Sequence, residues 1–117
     1  MATAYQNLFM DQGSTFTNQL NLSDSSGIPY NLTNYIINGS AKTSYYTPNT
    51  AIVFTSTILD ANNGIVQLTA NSSQTANVYG TLVYDVTLID NNGNTTRVLE
   101  GLIYVNPGVT GITNINY

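Results

Sequence analysis

The sequence predicts an all-β fold, a sandwich of about seven strands with one short helix. Three observations carry that expectation. β-branched and aromatic residues dominate the apolar set, with nine tyrosines and no tryptophan. Such side chains fit a pleated, half-buried surface. Turn signals recur roughly every ten to fifteen residues: Asp11-Gln-Gly13, Asp24-Ser-Ser-Gly27, Asn38-Gly39, Pro48-Asn49, Asn62-Asn-Gly64, Asn92-Gly93 and Pro107-Gly108. Short strands at that spacing belong to sandwiches or barrels. The third observation is the alternation of Gly80–Ile89, which sets Leu82, Tyr84, Val86 and Leu88 on one face and Thr81, Asp85 and Thr87 on the other.

The elements follow in order. Tyr5–Met10 closes on the Gln-Gly turn, and Thr15–Leu22 runs from there to Asp24. Tyr35–Thr43 and Ala51–Leu59 flank the Pro48-Asn49 turn, and Gly64–Thr69 leaves Asn62-Asn-Gly64. Ser72–Val78 is the helical candidate, about two turns long, with Asn71 or Ser72 as its cap and Gln74 in its first turn. Gly80–Ile89 then turns through Asp90–Asn94, where Asn92-Gly93 suits the positive φ angles of a type I′ turn. The return strand, Thr95–Val105, directs Leu99, Gly101, Ile103 and Val105 to the core and Glu100 away from it. The opposite assignment would bury an unpaired carboxylate.

At 117 residues and 12.6 kDa the chain reads as one domain, large enough to bury a core without disulfides. Charged residues make up only 7%, against about 25% in ordinary domains, so amides and hydroxyls must form the polar surface. Cysteine and histidine are absent, which removes thiol and imidazole catalysis and the usual transition-metal ligand sets. Net charge is −4, with Lys42 and Arg97 the only cations. Two cations cannot line a phosphate backbone or hold an anionic membrane. No apolar run approaches the ~20 residues that span a bilayer. Met1-Ala-Thr-Ala-Tyr-Gln-Asn lacks the basic and apolar regions of a secretory signal.

The inventory of candidate chemistry is short. Six carboxylates are present: Asp11, Asp24, Asp60, Asp85, Asp90 and Glu100. Counting back from Asn92-Gly93, Asp85 falls opposite Glu100, a like-charge pair that is destabilising unless something intervenes. A register offset, or a solvated face where Arg97 softens the repulsion, is the expected resolution, rather than a hydrolytic pair. Asp90-Asn-Asn-Gly-Asn94 resembles the start of a calcium loop, but the closing acidic residue is missing. Asp and Asn make such turns unaided, and the same holds for Asp60-Ala-Asn-Asn-Gly64. Glycosylation sequons starting at Asn21, Asn31, Asn38, Asn71 and Asn94 are expected by chance in so amide-rich a chain. Nothing beside Lys42 suggests the desolvation a lysine base needs. No enzyme activity, cofactor or metal is expected. Tyr45 and Tyr46 suit either a recognition surface or packing over a sandwich edge.

Four segments carry a resemblance: Asn7-Leu-Phe-Met-Asp-Gln-Gly-Ser-Thr-Phe16, Leu32-Thr-Asn-Tyr35 after a Gly-x-Pro hairpin, Tyr84-Asp-Val-Thr-Leu88 and Arg97-Val-Leu-Glu-Gly101. In order and spacing, over roughly residues 5–107, the chain resembles small tailed-bacteriophage virion proteins. It is similar to the immunoglobulin-like N-terminal domain of baseplate upper proteins, in which glycine often stands where this chain has Asn34. The resemblance implies an immunoglobulin-like antiparallel β-sandwich. It also implies a virion structural protein assembled in the host cytoplasm, an adaptor or decoration at the tail, neck or baseplate. Its partners would be other virion structural proteins, in multiple copies of a symmetric assembly, with no nucleic acid and no membrane. An outer capsid decoration protein and a host-surface carbohydrate-binding module are the alternatives.

Residues 1–107 are expected to form the sandwich and 108–117 a C-terminal tail. The tail is uncharged and apolar. Two placements fit it: along a neighbouring subunit, with Ile112, Ile115 and Tyr117 as anchors, or back over its own sandwich.

Overall fold

Alternating burial in one long hairpin organises the molecule, whose computed structural model describes residues 4–24 and 26–108. Strands β7 (Gly80–Ile89) and β8 (Thr95–Asn106) pair antiparallel over nearly their whole length. Leu82, Tyr84, Val86 and Leu88 are buried, as are Leu99, Ile103 and Val105 opposite. Near the turn the register shifts: Val86 faces Leu99, whereas Thr87 faces Arg97. The extra residue is Val98, so Val98 and Leu99 are both buried. This bulge is invisible to a strict period of two.

The hairpin turn differs from the expected type I′. Gly93 alone has a positive φ, 84°, and Asn92 does not. The Gly93 N–H donates to the Asp90 carbonyl, and the Asp90 N–H to the Asn94 carbonyl. An ordinary turn followed by a left-handed glycine needs only one residue at positive φ, and here it spans a longer loop.

The sheet extends from β7 through β4 (Ile36–Lys42) to β5 (Ile52–Asp60). The first residues of β5 pair with β4, and those from Thr55 onward pair with β6 (Ile65–Ala70). β6 pairs in turn with β3 (Phe16–Asn21). β5 therefore carries the sheet over onto itself and closes the two layers. Gly39 lies where they approach closely: a Cβ there would sit 3.0 Å from Leu68 Cδ2. Phe16 and Phe54 pack between the layers with ring centroids 5.6 Å apart. The buried side chains form one core drawn from both layers. Burying each large one is worth about 1.5–3 kcal/mol.

The fold is all-β with one short helix, and it departs from the sequence expectation in further details. The predicted Tyr5–Met10 strand is interrupted at Gln6-Asn7, giving β1 (Ala4–Tyr5) and β2 (Leu8–Asp11). Both run parallel to β8, so the sheet is mixed rather than wholly antiparallel. Across the interruption the Asn7 side chain accepts the Leu102 N–H, and the Tyr84 hydroxyl donates to the Gln6 carbonyl at 2.6 Å. The helix α1 is shorter than expected, Ser72–Thr75, closed at its start by a capping box between Asn71 and Gln74. Thr75 is fully buried and donates to the Ser14 carbonyl, which ties the helix to the turn between β2 and β3.

Asn34 is the one non-glycine with positive φ (69°) among the described residues. Asparagine enters that left-handed region more readily than other side chains, so asparagine and glycine both suit this position.

Candidate functional site

Alternation leaves the other face of β4, β7 and β8 to solvent, and the register assembles a site there. Ser40, Asp85 and Glu100 lie in one row across the three strands, and Tyr5 of β1 continues it. Lys42, Val83 and Leu102 form the next row. The bulge at Val98 sets Arg97 opposite Thr87, one step from the carboxylates. From there Arg97 Nε lies 3.3 Å from Asp85 Oδ2 and Nη1 lies 3.5 Å from Glu100 Oε2. Asp85 therefore does face Glu100 directly, with Arg97 holding both. These side chains remain 55%, 39% and 30% exposed, so each ion pair stabilises the fold by no more than about 1 kcal/mol.

Ser40, Lys42, Tyr45, Asp85, Arg97 and Glu100 line a shallow depression of about 180 Å³. Both cations of the chain and two of its six carboxylates meet there, in a protein only 7% charged. The centre is thus neutral, and the net −4 arises from Asp11, Asp24, Asp60 and Asp90 elsewhere. Such a surface offers donors and acceptors to a polar partner.

Around this centre the same face is apolar. Phe9 pairs with Tyr104 across β2 and β8, their ring centroids 5.5 Å apart. Phe9 is 67% exposed, Tyr5 60% and Val53, beside Ser40, 64%. Tyr45 is largely exposed at the rim of the depression, and Tyr46 is almost wholly in solvent. Ile112, Ile115 and Tyr117 lie outside the described residues. Sequence reasoning missed Tyr5, Phe9 and Tyr104 as surface residues. The available signals were the alternation of Leu8 and Met10 inward, which sends Phe9 out, and that of Ile103 and Val105, which sends Tyr104 out.

The two calcium-like loops use their carboxylates internally. Asp90 Oδ1 accepts the backbone N–H groups of Asn92 and Asn94, each at 2.9 Å. The Asn94 backbone N–H foremost, then those of Asn92 and Gly93 with the Asn94 side chain, hold its carboxyl below the usual aspartate range. Asp60 accepts from the Asn63 side chain at 2.8 Å. Among the described residues no three acidic, histidine or cysteine side chains cluster as a metal site would require.

The fold and surface define an all-β domain with a partly apolar, charge-neutral sheet face. No family model matches the sequence, and no curated protein does. Among solved structures, an endo-fucoidan hydrolase, MfFcnA4 from glycoside hydrolase family 107, is similar in fold, with a TM-score of 0.56 and 18% sequence identity. The match covers 92% of this chain and 13% of the hydrolase chain. At that identity the likeness describes the fold.

Proposed function

We propose that this chain is a non-catalytic structural protein of a bacteriophage virion, an adaptor or decoration at the tail, neck or baseplate. It docks through the outer face of β1, β2, β8, β7 and β4. One observation carries the docking role: exposed apolar and aromatic side chains, Tyr5, Phe9, Val53 and Tyr104, surround the neutral Arg97 cluster on one sheet face. Contiguous exposed apolar surface of that kind marks interaction sites. The virion setting is drawn from the resemblance of the Asn7–Phe16, Leu32–Tyr35, Tyr84–Leu88 and Arg97–Gly101 segments. Many copies in a symmetric particle make modest single contacts sufficient.

The test is mass spectrometry of purified particles, with a phage whose copy carries Phe9→Asp. The chain is expected in wild-type particles and depleted from those carrying the variant. Absence from wild-type particles overturns the reading. Incorporation on the head rather than the tail would select the capsid-decoration alternative.

A second reading, a carbohydrate-binding module, draws on Tyr45 beside the acceptors Asp85 and Glu100. The named polysaccharide hydrolase adds only a fold-level analogy to it. Glycan-array binding that is lost on Tyr45→Ala would select it.

A further inference from the structure

We propose that the partner on this sheet face is a second copy of the same chain, joined about a two-fold axis. The inference rests on the docking reading above and names its occupant.

Charge is the first argument. Away from the Arg97 cluster the surface carries carboxylates without cations: Asp24 and Asp90 stand in loops, Asp60 ends β5, and Asp11 ends β2 at the margin of this same face. Two copies approaching through those regions bring like charges together. The centre of the face is the exception. It holds Lys42 and Arg97 together with Asp85 and Glu100, so it is complementary to itself. Arg97 is engaged with the two carboxylates, whereas Lys42 forms no ion pair among the described residues. Each carboxylate retains exposure toward solvent. An isologous contact, in which each copy presents the same patch, can set Lys42 of one copy against Asp85 or Glu100 of its mate. A strongly acidic or basic partner would gain from only half of these groups and be opposed by the other half.

Size is the second argument. The face spans β1–β2, β8, β7, β4 and the start of β5, about 24 Å at ordinary strand spacing, and about 30 Å along the strands. The plan area is roughly 700 Å², close to the ~800 Å² per partner of a stable interface. Its composition also fits. Tyr5, Phe9, Tyr45 and Tyr104 supply aromatic anchors of the kind that dominate such contacts.

The experiment is sedimentation velocity on the purified full chain from about 1 to 100 μM, with native mass spectrometry of mixed variants. A dimer whose fraction rises with concentration is expected. Phe9→Asp and Tyr5→Asp each should weaken it at least tenfold, with circular dichroism and melting showing that the variants still fold. Lys42→Glu should weaken it as well, and mixing Lys42→Glu with Asp85→Lys copies should restore a heterodimer. A wild-type chain that stays monomeric at the highest concentration overturns the proposal. So does a dimer indifferent to all the face variants. If that monomer still enters particles and Phe9→Asp prevents it, docking stands and self-association fails. If the chain dimerises through this face but is absent from particles, the virion reading fails and the dimer stands.

Discussion

The Tyr84 hydroxyl reaches across the edge of the sheet to the Gln6 carbonyl, 2.6 Å away and 78 positions earlier in the chain. The bond falls where the N-terminal strand breaks between β1 and β2, and it supplies that stretch of backbone with a partner. Burial, and secondly the nearby Tyr5, raise the Tyr84 hydroxyl well above the ordinary tyrosine range.

Tyr84→Phe is expected to lower stability by about 1 kcal/mol, the worth of one net hydrogen bond. Amide hydrogen exchange should quicken in β1, β2 and the facing stretch of β8. The phenol is favoured neutral in the folded state. Its contribution is therefore complete below the unfolded-state value near 10 and is lost as pH climbs toward the higher folded-state value. Ultraviolet titration should show this tyrosine ionising last, together with unfolding. Ionisation alongside the exposed tyrosines would contradict the assignment.

Gly101→Ala and Gly39→Ala separate two kinds of crowding. A Cβ on Gly101 would overlap the Gln6 carbonyl, which is backbone, and press Tyr84 Cε1 at 3.2 Å. Overpacking of that kind costs about 1–3 kcal/mol. A Cβ on Gly39 meets the ends of Leu68 and Ser56, which can swing aside. Reduced freedom of the unfolded chain offsets part of that cost, about 0.4–1 kcal/mol. Urea denaturation should rank Gly101→Ala as clearly the more damaging.

Removing the guanidinium with Arg97→Met leaves Asp85 and Glu100 directly opposed. The loss should be below about 1 kcal/mol at low salt. It should shrink at high salt, where exposed charges are screened. Adding Glu100→Gln should recover most of it. Melting curves at two ionic strengths check both statements.

Asp90 binds the loop that joins β7 to β8 through its ionised form. Its depressed carboxyl means that the contribution is present above the unfolded-state value, about 3.9, and is lost as pH falls through the lower folded-state value. Carboxyl carbon shifts followed by NMR should give a midpoint below that of an ordinary aspartate. Asp90→Ala should remove this titration and lower the melting temperature.

Local pattern foretold much of the structure. The alternation in β7 placed its four core side chains correctly, whereas Asp85 meets Glu100 because the Val98 bulge offsets the register that the longer turn sets. What escaped were features set by distant residues. The parallel seating of β1 and β2 depends on β8, far along the chain, and no local signal distinguishes it from an antiparallel one. The Val98 bulge obeys the needs of the core rather than a period. Gln12 looked like a turn residue in its Gln-Gly setting. It is buried, donates to the Val78 carbonyl and accepts the Gly108 N–H, joining three segments. The aromatic face was hidden because each of its residues reads locally as an ordinary strand position.

Because β2 lies against β8, with Leu8 beside Ile103, two strands far apart in the sequence are joined. On the ribosome, β2 has no seat until the twelve residues of β8 emerge and pair with β7. Leu8 and Met10, both buried in the folded chain, wait unsatisfied until then. Contacts this distant in sequence form slowly. The sheet thus closes from β8 back to β2, and the yield of native chains hangs on how long β2 escapes other company.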